Sequence, residues 1–323
     1  MSDLAKDITV VVPAHRAEET LPDCLAAIRR AGVPPDRILV IDDGSPDACA
    51  DLARKAGVRL LQHETPRRPA GARNAGVEEV SSEIVVFVDA DVVLNDGALD
   101  LLLAAFDTPG VSAAIGSYDA APRGGTVGRY RNLLHHHVHQ TAKREAETFW
   151  SGFGAVRRDR FLAAGGLDPA WENIEDVEFG LRLWALGDRI MLVPEAQATH
   201  LKDWTLQSMF RTDLWGRAVP WTRLLIAGRM STGTLNGGLT HRLAAGGVVA
   251  ACLGLLVGLV WLPGLMLVLF GVGLFLAVNF DLWRRLARID GPLFALRAMP
   301  LHAVHYIAAL LGYGYAHMRP EPE

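Results

Sequence analysis

Two carboxylates directly follow an apolar run, because Asp89 and Asp91 come after the segment 85–88. A run of β-branched and aromatic residues is typical of a strand buried on both faces of a parallel sheet. Carboxylates cannot share such a core without a partner, so we expect them at the carboxyl end of the strand, where open α/β sheets bind ligands. Residues two apart in extended backbone face the same way, which would aim both acids at one divalent cation carrying phosphates. The alternative is a helix start, with Asp91 or Asn95 as its cap.

Strand and helix patterns alternate ahead of these acids. The predicted strands and helices, in chain order, are 8–12, 18–30, 37–41, 46–56, 58–61 and 71–80. This alternation predicts βαβ units around a parallel sheet. The strand at 37–41 also stops at two acids, Asp42 and Asp43, before a Gly-Ser turn. Acidic side chains are therefore expected at the carboxyl ends of two strands of one sheet.

Composition divides the chain into a globular part and an apolar part. Half of the 323 residues are hydrophobic, and the segment 243–280 is almost free of charge. The formal net charge of −4 gives no sign of a nucleic-acid-binding protein. Cys24, Cys49 and Cys252 lack metal or redox spacing, so we interpret them as reduced packing residues. The polar segment before Ile8 has no signal-peptide pattern, which predicts a cytoplasmic first domain.

Two uncharged stretches in the C-terminal part are long enough to cross a membrane. The first covers 243–262, about 20 residues, and a Pro-Gly turn separates it from the second, 265–282. Arg242 precedes the first stretch and three arginines follow the second, so the positive-inside rule places both ends of this hairpin in the cytoplasm. A weaker candidate at 299–315 contains two histidines and could cross or re-enter.

Aromatic residues and arginines are interleaved between 204 and 230. This mixture is typical of a helix lying in a membrane interface, and the alternative is an amphipathic helix packed on the globular domain. We therefore predict three parts: a cytoplasmic catalytic domain, an interface helix region, and a membrane domain made of a hairpin and a third helix. Their bounds are 1–203, 204–230 and 243–316, with the hairpin at 243–282 and the third helix at 299–315.

Five motifs together resemble those of family 2 glycosyltransferases with the GT-A fold. In chain order they are Val11–His15, Val40–Ser45, Gly71–Gly76, Asp89–Asp91 and Asn173–Arg182. Each motif alone is common, but the ordered set is specific, and the resemblance covers about residues 7–230. It implies an α/β catalytic domain of the GT-A type, Rossmann-like with a mostly parallel sheet, followed by C-terminal transmembrane helices.

The resemblance implies a donor site for a nucleotide-diphosphate sugar, with a UDP-sugar expected first. Asp43 would accept a hydrogen bond from the base, while Pro13 and His15 would line the base and ribose. Glu18 would take a ribose hydroxyl, unless it is an acid in the first turn of a helix.

Residues of two further motifs would complete the donor site. Gly71 would let backbone come close, and Arg73 would offer its guanidinium to phosphate or base, unless it forms a surface salt bridge. Asp89 would face the ribose, with Ala90 between the two acids. Asp91 would bind a Mg²⁺ or Mn²⁺ ion that takes up charge on the leaving diphosphate.

Three residues further along the chain receive roles from the same resemblance. His200, just after a predicted strand at 189–193, would complete the metal site. Asp176 would be the catalytic base that inverting transfer needs, with Glu175 in support. Both acids could instead be caps at the start of a helix. A nearby histidine run points in several directions on a helix, so we interpret it as solvated or acceptor-side; its members are His135, His136, His137 and His139.

These observations predict an inverting glycosyltransferase that moves one sugar to a lipid or lipid-linked acceptor. Its catalytic domain would face the cytoplasm, and its helices would cross the inner membrane more than once. The segment 216–221 departs from the Gln-x-x-Arg-Trp motif of processive family members, which favours single-sugar transfer. A polyprenyl-phosphate acceptor is the nearest alternative. A nucleotidyltransferase is disfavoured because the loop Ala14–Arg16 is not glycine-rich, and a non-catalytic scaffold is disfavoured by the intact acids.

Overall fold

The computed structural model of the protein describes residues 6–121, 123–230 and 238–319. The first five residues, which belong to the segment without a signal-peptide pattern, lie outside the described residues. The chain forms two compact units. We call them the sheet unit, Met1–Arg123 with His139–Lys202, and the helical unit, Gly124–Val138 with Asp203–Glu323.

A single nine-stranded sheet forms the centre of the sheet unit. Its strands are β1 (Ile8–Ala14), β2 (Ile38–Asp42), β3 (Arg59–Gln62), β4 (Ile84–Val88), β5 (Val92–Leu94), β6 (Val111–Tyr118), β7 (Glu145–Ala146), β8 (Phe153–Arg157) and β9 (Arg189–His200). The helices of this part of the chain are α1 (Leu21–Arg30), α2 (Cys49–Lys55), α3 (Arg68–Glu78), α4 (Ala98–Ala104), α5 (Thr126–Thr141), α6 (Arg158–Ala163) and α7 (Glu175–Ala185). The strand order is β3-β2-β1-β4-β8-β6-β9-β5, and β7 pairs with β9.

The sheet is parallel from β3 through β2 and β1 to β4, as the βαβ pattern predicts. Beyond β4 it is mixed, because β8 runs antiparallel to both β4 and β6. The predicted parallel pairing therefore holds throughout the first half of the sheet, whereas the second half combines a parallel β6–β9 pair with antiparallel pairs. An antiparallel β8 enters the sheet at the carboxyl end of β4, so the segment just before β8 lies beside the acids that follow β4.

The central strand β4 is buried on both faces. Val86 and Val88 belong to the apolar cluster on one side of the sheet, and Val85 and Phe87 belong to the cluster on the other side. This two-sided burial explains why the strand reads as a continuous apolar run rather than an alternating one. Helix α1 begins at Leu21, three residues later than predicted.

The helical unit contains the apolar C-terminal part of the chain. Its helices after α5 are α8 (Leu206–Arg211), a π-helical turn (Thr212–Ala218), α9 (Val219–Ile226), α10 (Leu239–Gly258), α11 (Gly264–Val278), α12 (Phe280–Asp290) and α13 (Pro292–Met318). Among the described residues, α10 and α13 are each long and apolar enough to cross a membrane, while α11 and α12 would form a third span only as a pair bent by 63°. The predicted hairpin overlaps α10 and α11, and the third predicted segment lies within α13.

Glycines allow α10 and α11 to approach closely. A Cβ atom on Gly271 would lie 2.5 Å from the carbonyl oxygen of Gly247, and one on Gly254 would lie 2.6 Å from the backbone nitrogen of Val268. Small residues at such a contact are typical of helix pairs in membranes, where van der Waals packing replaces the hydrophobic effect between helices.

One glycine of the sheet unit fixes how α7 packs. A Cβ atom on Gly180 would lie 2.1 Å from the backbone nitrogen of Phe149 and 2.5 Å from the carbonyl carbon of Thr148. These are backbone atoms that cannot rotate away. The start of α7 is therefore held directly against the segment that leads into β8.

We expect Gly180→Ala to destabilise the protein by about 1–3 kcal/mol, because the added methyl group overpacks this contact. The loss should occur although alanine is the better helix former. Thermal melting of the full chain in detergent measures it. Gly125→Ala is the matched control, since a Cβ atom there meets nothing within 4 Å. Equal melting temperatures for the Gly180→Ala variant and the wild type would contradict the close packing of α7.

Candidate active site

A buried arginine links the acids after β4 to those at the start of α7. Arg73 of α3 donates from Nη2 to Oδ1 of Asp89 at 2.6 Å and from Nη1 to Oε1 of Glu175 at 3.1 Å. Its side chain is only 5% exposed. Both terminal nitrogens are thus engaged by carboxylates, so the guanidinium is oriented by acids here, not by a phosphate or base. It is a salt bridge, but a buried one and not the surface pair considered as an alternative.

Asp91 and His200 meet across two neighbouring strands. Antiparallel pairing sets Val92 opposite His200, and the backbone nitrogen of Leu201 donates to the carbonyl oxygen of Asp91 at 2.8 Å. The side chains converge, with Nε2 of His200 3.4 Å from Oδ2 of Asp91. The sequence-predicted metal pair is therefore brought together.

The separation of these two side chains suits a shared divalent ion. In an octahedral site, two neighbouring ligand atoms form an angle of about 90° at the metal. If each is about 2.1 Å from the metal, the two atoms lie about 3 Å apart. A carboxylate with an imidazole is a donor set that Mn²⁺ accepts. Within the described ranges no group of three or more histidine, cysteine or acidic residues converges on one point. The remaining coordination positions would thus be open to water and diphosphate oxygens, as is usual where a nucleotide is bound.

The acids of this site have shifted pKa values. Burial raises the pKa of Asp89, against the opposing charge of Arg73. Burial and the neighbouring charge of Asp176 raise the pKa of Glu175 to about 7, again opposed by Arg73. Burial also acts on Asp91, but the hydrogen bond and charge of His200 outweigh it, and its pKa is lowered. One arginine thus stands among more carboxylates than it can neutralise.

Asp176 is positioned by the segment before β8. Its Oδ2 accepts hydrogen bonds from the backbone nitrogen of Ser151 at 3.0 Å and from the Ser151 hydroxyl at 3.1 Å, and its Oδ1 accepts from the Val177 nitrogen at 2.8 Å. A carboxylate offers about four acceptor positions, so one is left for an incoming hydroxyl. Ser151 was not singled out from the sequence.

Asp43, Pro13 and His15 lie together at the ends of β1 and β2. The register pairs Pro13 with Ile41 and Ala14 with Asp42. His15 Nδ1 lies 3.0 Å from the carbonyl oxygen of Asp43. Asp43 is almost fully buried and follows the strand directly, before the left-handed Gly44.

Both hydrogen bonds to the Asp43 side chain reach the same oxygen. Its Oδ1 accepts from Nδ1 of His63 at 2.7 Å and from the backbone nitrogen of Arg67 at 2.8 Å. Since a carboxylate only accepts, the His63 proton on this side is on Nδ1. No residue in the described part of the chain donates to Oδ2. His63 was missed from the sequence, although its place directly after β3 was a usable signal.

Glu18 and Gly71 have local roles in the structure. Glu18 precedes α1, so it is not an acid of that helix's first turn; its Oε2 instead accepts from the backbone nitrogen of Ala48, just before α2. Gly71 lies in the first turns of α3, where a Cβ atom would come within 2.6 Å of the Arg67 Cβ. Ala90 is buried between Asp89 and Asp91.

Comparison with known proteins agrees with this geometry. Residues 9–164 match the model of glycosyl transferase family 2. The pre-mycofactocin glycosyltransferase of Mycobacterium tuberculosis is 28% identical over 222 residues, which are 64% of this chain and 46% of that protein. The chain thus spans about half the length of this relative. The O-antigen chain rhamnosyltransferase RfbN of Salmonella typhimurium is 23% identical over 231 residues, covering 66% of this chain and 74% of that protein.

Solved structures share the fold. The mannosyltransferase PcManGT from Pyrobaculum calidifontis, in complex with GDP-Man and Mn²⁺, superposes with a TM-score of 0.61 at 19% identity, covering 97% of this chain and 90% of that one. Glucosyl-3-phosphoglycerate synthase from Mycobacterium tuberculosis, with Mn²⁺ and UDP-Glc, gives a TM-score of 0.50 at 22% identity over 71% of this chain and 82% of that one. By these matches, residues 9–164 correspond to glycosyl transferase family 2, and the chain has the fold of the solved GT-A-type structures.

Proposed function

We infer that this enzyme transfers one sugar, with inversion, from a nucleotide-diphosphate sugar to a lipid or lipid-linked acceptor. The observation that carries this proposal is the Arg73 bridge, which ties the donor-side acid Asp89 to Glu175 and, beside it, Asp176. The acids proposed for the donor side and those proposed for the base are thereby linked through one guanidinium. The solved neighbours with GDP-Man or UDP-Glc and Mn²⁺ support a nucleotide sugar and a divalent ion.

Each residue of the group has a distinct task in this proposal. Asp176, held by Ser151, takes the proton from the acceptor hydroxyl as its oxygen attacks the anomeric carbon opposite the leaving diphosphate. Asp43 reads the nucleotide base, and Asp89, fixed by Arg73, faces the ribose. Asp91 and His200 would hold Mg²⁺ or Mn²⁺, which supplies charge neutralisation on the leaving diphosphate.

The membrane assignment rests on the helical unit. Helices α10 and α13 have mean hydropathies of 1.6 and 1.3 over their most apolar windows. They support an enzyme anchored in the inner membrane with its sheet unit in the cytoplasm, where nucleotide sugars are made available to lipid acceptors. The exposed Trp215 and Arg217 in the segment 204–230 fit the proposed interface region. The similarity to an O-antigen rhamnosyltransferase is in keeping with a lipid-linked acceptor.

A donor screen tests the proposal directly. Purified full-length protein in detergent is supplied with single nucleotide sugars and Mn²⁺, with and without a bacterial lipid extract, and released nucleoside diphosphate is measured. We expect release from one donor, stimulated by lipid and abolished by a chelator. Asp91→Asn should lower this turnover at least 100-fold, because the metal loses its charged ligand.

Asp96→Asn is the matched control, since Asp96 is an exposed acid five residues further along the chain. Its turnover should equal that of the wild type. Wild-type, metal-dependent turnover in the Asp91→Asn variant would refute the metal assignment. Absence of release from every donor, together with no binding of UDP or GDP by calorimetry, would instead favour a non-catalytic membrane protein.

Asp176→Asn should lower kcat by about 10²–10⁴-fold, because an amide cannot take up the hydroxyl proton. Ser151→Ala should lower kcat less, by about 10-fold, since the backbone nitrogen of residue 151 still donates to the Asp176 carboxylate. Rates are measured at saturating donor, and Asp159→Asn, a change of an exposed acid on α6, is the control. Nearly full activity of the Asp176→Asn variant would point to a polyprenyl phosphate as acceptor, since a phosphate nucleophile needs little help from a base.

Glu175→Gln should raise stability at pH 8 but leave it unchanged near pH 4.5. A raised folded-state pKa of about 7 means that folding favours the protonated acid, so wild-type stability is lost as pH rises from about 4.5 through 7. Glutamine stays neutral and can still accept from Arg73. The expected gain at pH 8 is about 1–3 kcal/mol, measured by denaturant unfolding.

The control for this experiment is Glu172→Gln, which neutralises an exposed acid near the same helix. It should shift stability little at either pH. A Glu175→Gln variant whose stability follows the wild-type pH dependence would contradict the raised pKa of Glu175.

A further inference from the structure

Four aromatic side chains of the sheet unit form a continuous series that ends at the proposed metal ligand. We call it the aromatic column: His139, Trp150, Tyr118 and His200. The Tyr118 and His200 rings are stacked, with centroids 4.5 Å apart and planes 9° apart. Trp150 meets Tyr118 edge-on at 4.9 Å and 85°, and His139 meets Trp150 edge-on at 5.6 Å. The imidazole of His200 therefore has one face covered by a flat ring.

Strand pairing fixes this stack. Tyr118 is the last residue of β6, and the parallel register sets it opposite Ala198 of β9. His200 lies two residues beyond Ala198, so its side chain is on the same face of the sheet as a diagonal neighbour of Tyr118. The backbone nitrogen of Asp119 donates to the Ala198 carbonyl at 2.9 Å and continues the pairing past the end of β6. The stacking partner is thus set by the backbone and does not depend on a mobile loop.

The far end of the column is also anchored. His139 Nδ1 lies 2.9 Å from the carbonyl oxygen of Gly116, at hydrogen-bonding distance, and the residue is 8% exposed. Of the two roles predicted for His139, solvated or acceptor-side, its burial excludes the solvated one. Trp150 directly precedes Ser151, the residue that holds Asp176. The column consequently runs from the metal pair to the segment that positions the proposed base.

We propose that Tyr118 is a positioning residue for the metal site, holding the His200 imidazole so that Nε2 points to the place where Asp91 also points. A ligand that is already oriented binds a metal more tightly, because less side-chain freedom is lost on binding. Carboxylates and carbonyls usually orient metal-binding histidines through the second ring nitrogen. Here a stacked ring does this through the face of the imidazole. The inference rests on the proposed function in one respect, namely that Asp91 and His200 hold the metal.

The test compares Tyr118→Leu, Tyr118→Met and Tyr118→Phe in the full chain in detergent, with Mn²⁺ alone as the probe. Electron paramagnetic resonance of free Mn²⁺ gives the dissociation constant. We expect Tyr118→Leu to weaken Mn²⁺ binding about 10-fold, the size of effect usual for residues that orient a metal ligand. Tyr118→Phe, which keeps the flat ring, should stay within about threefold of the wild type by the same scale. Tyr118→Met keeps much of the volume without the ring and serves if the leucine variant does not fold.

A double substitution distinguishes an effect on the orientation of His200 from a general loss of folded structure. If Tyr118 acts through His200, then Tyr118→Leu should have no further effect on Mn²⁺ affinity in a His200→Ala background. Phe161→Leu is the matched control, because Phe161 is a buried aromatic residue that packs with Phe87 and Phe179, away from His200. It should lower the melting temperature without changing the Mn²⁺ dissociation constant.

The outcomes distinguish this inference from the proposed metal site. Loss of Mn²⁺ binding in Asp91→Asn and His200→Ala, with wild-type affinity in folded Tyr118→Leu or Tyr118→Met, would overturn the role of Tyr118 alone. Wild-type Mn²⁺ affinity in both ligand variants would overturn the metal site itself. A tenfold loss for the leucine variant, restored by phenylalanine and absent in the His200→Ala background, would support the role of Tyr118.

Discussion

The ion pairs of Arg73 are the constraint on which the rest of the site depends. A charge buried to this degree is stable only with partners of opposite charge. Removing one partner leaves the remaining buried charge with less compensation for its lost hydration. Asp89 and Glu175 therefore cannot be repositioned independently, although 86 residues separate them in the chain. The excess of carboxylates around one guanidinium also leaves the site short of positive charge. A divalent ion at the proposed site of Asp91 and His200 would supply positive charge next to these acids.

The mixed half of the sheet brings further residues to the group of side chains around Arg73. If β8 ran parallel to β4, the segment 149–152 would lie at the opposite edge of the sheet from Asp89. Antiparallel entry instead brings Ser151 to the carboxyl end of β4, and Gly180 lets α7 pack directly on the backbone of the same segment. Sheet topology and one missing side chain together bring Asp176 to the same end of β4 as Asp89.

The sequence allowed part of the site to be predicted, and strand ends explain which part. Asp43, Asp89, Asp91 and His200 all lie at or near a strand end, and a strand end fixes position well enough for their grouping to be foreseen. The bridge from Arg73 to Glu175 spans 102 residues and depends on how two helices pack, which no local pattern encodes. The alternative role of Glu18, an acid in the first turn of α1, was wrong because the start of α1 was placed three residues too early. Tyr118 was not singled out from the sequence, since stacking geometry leaves no trace there.

The one-sided hydrogen bonding of Asp43 has a consequence for which nucleotides the enzyme can accept. With Oδ1 held by His63 and Arg67, the group proposed to read the base offers a single oxygen that accepts but cannot donate. Uracil and guanine carry a ring N–H that satisfies such an oxygen. Adenine and cytosine carry a ring nitrogen lone pair at the equivalent position. That lone pair would be repelled by the lone pairs of the carboxylate oxygen. A single carboxylate orientation would thus act as a filter on the cellular nucleotide pool, excluding ATP by repulsion rather than by shape.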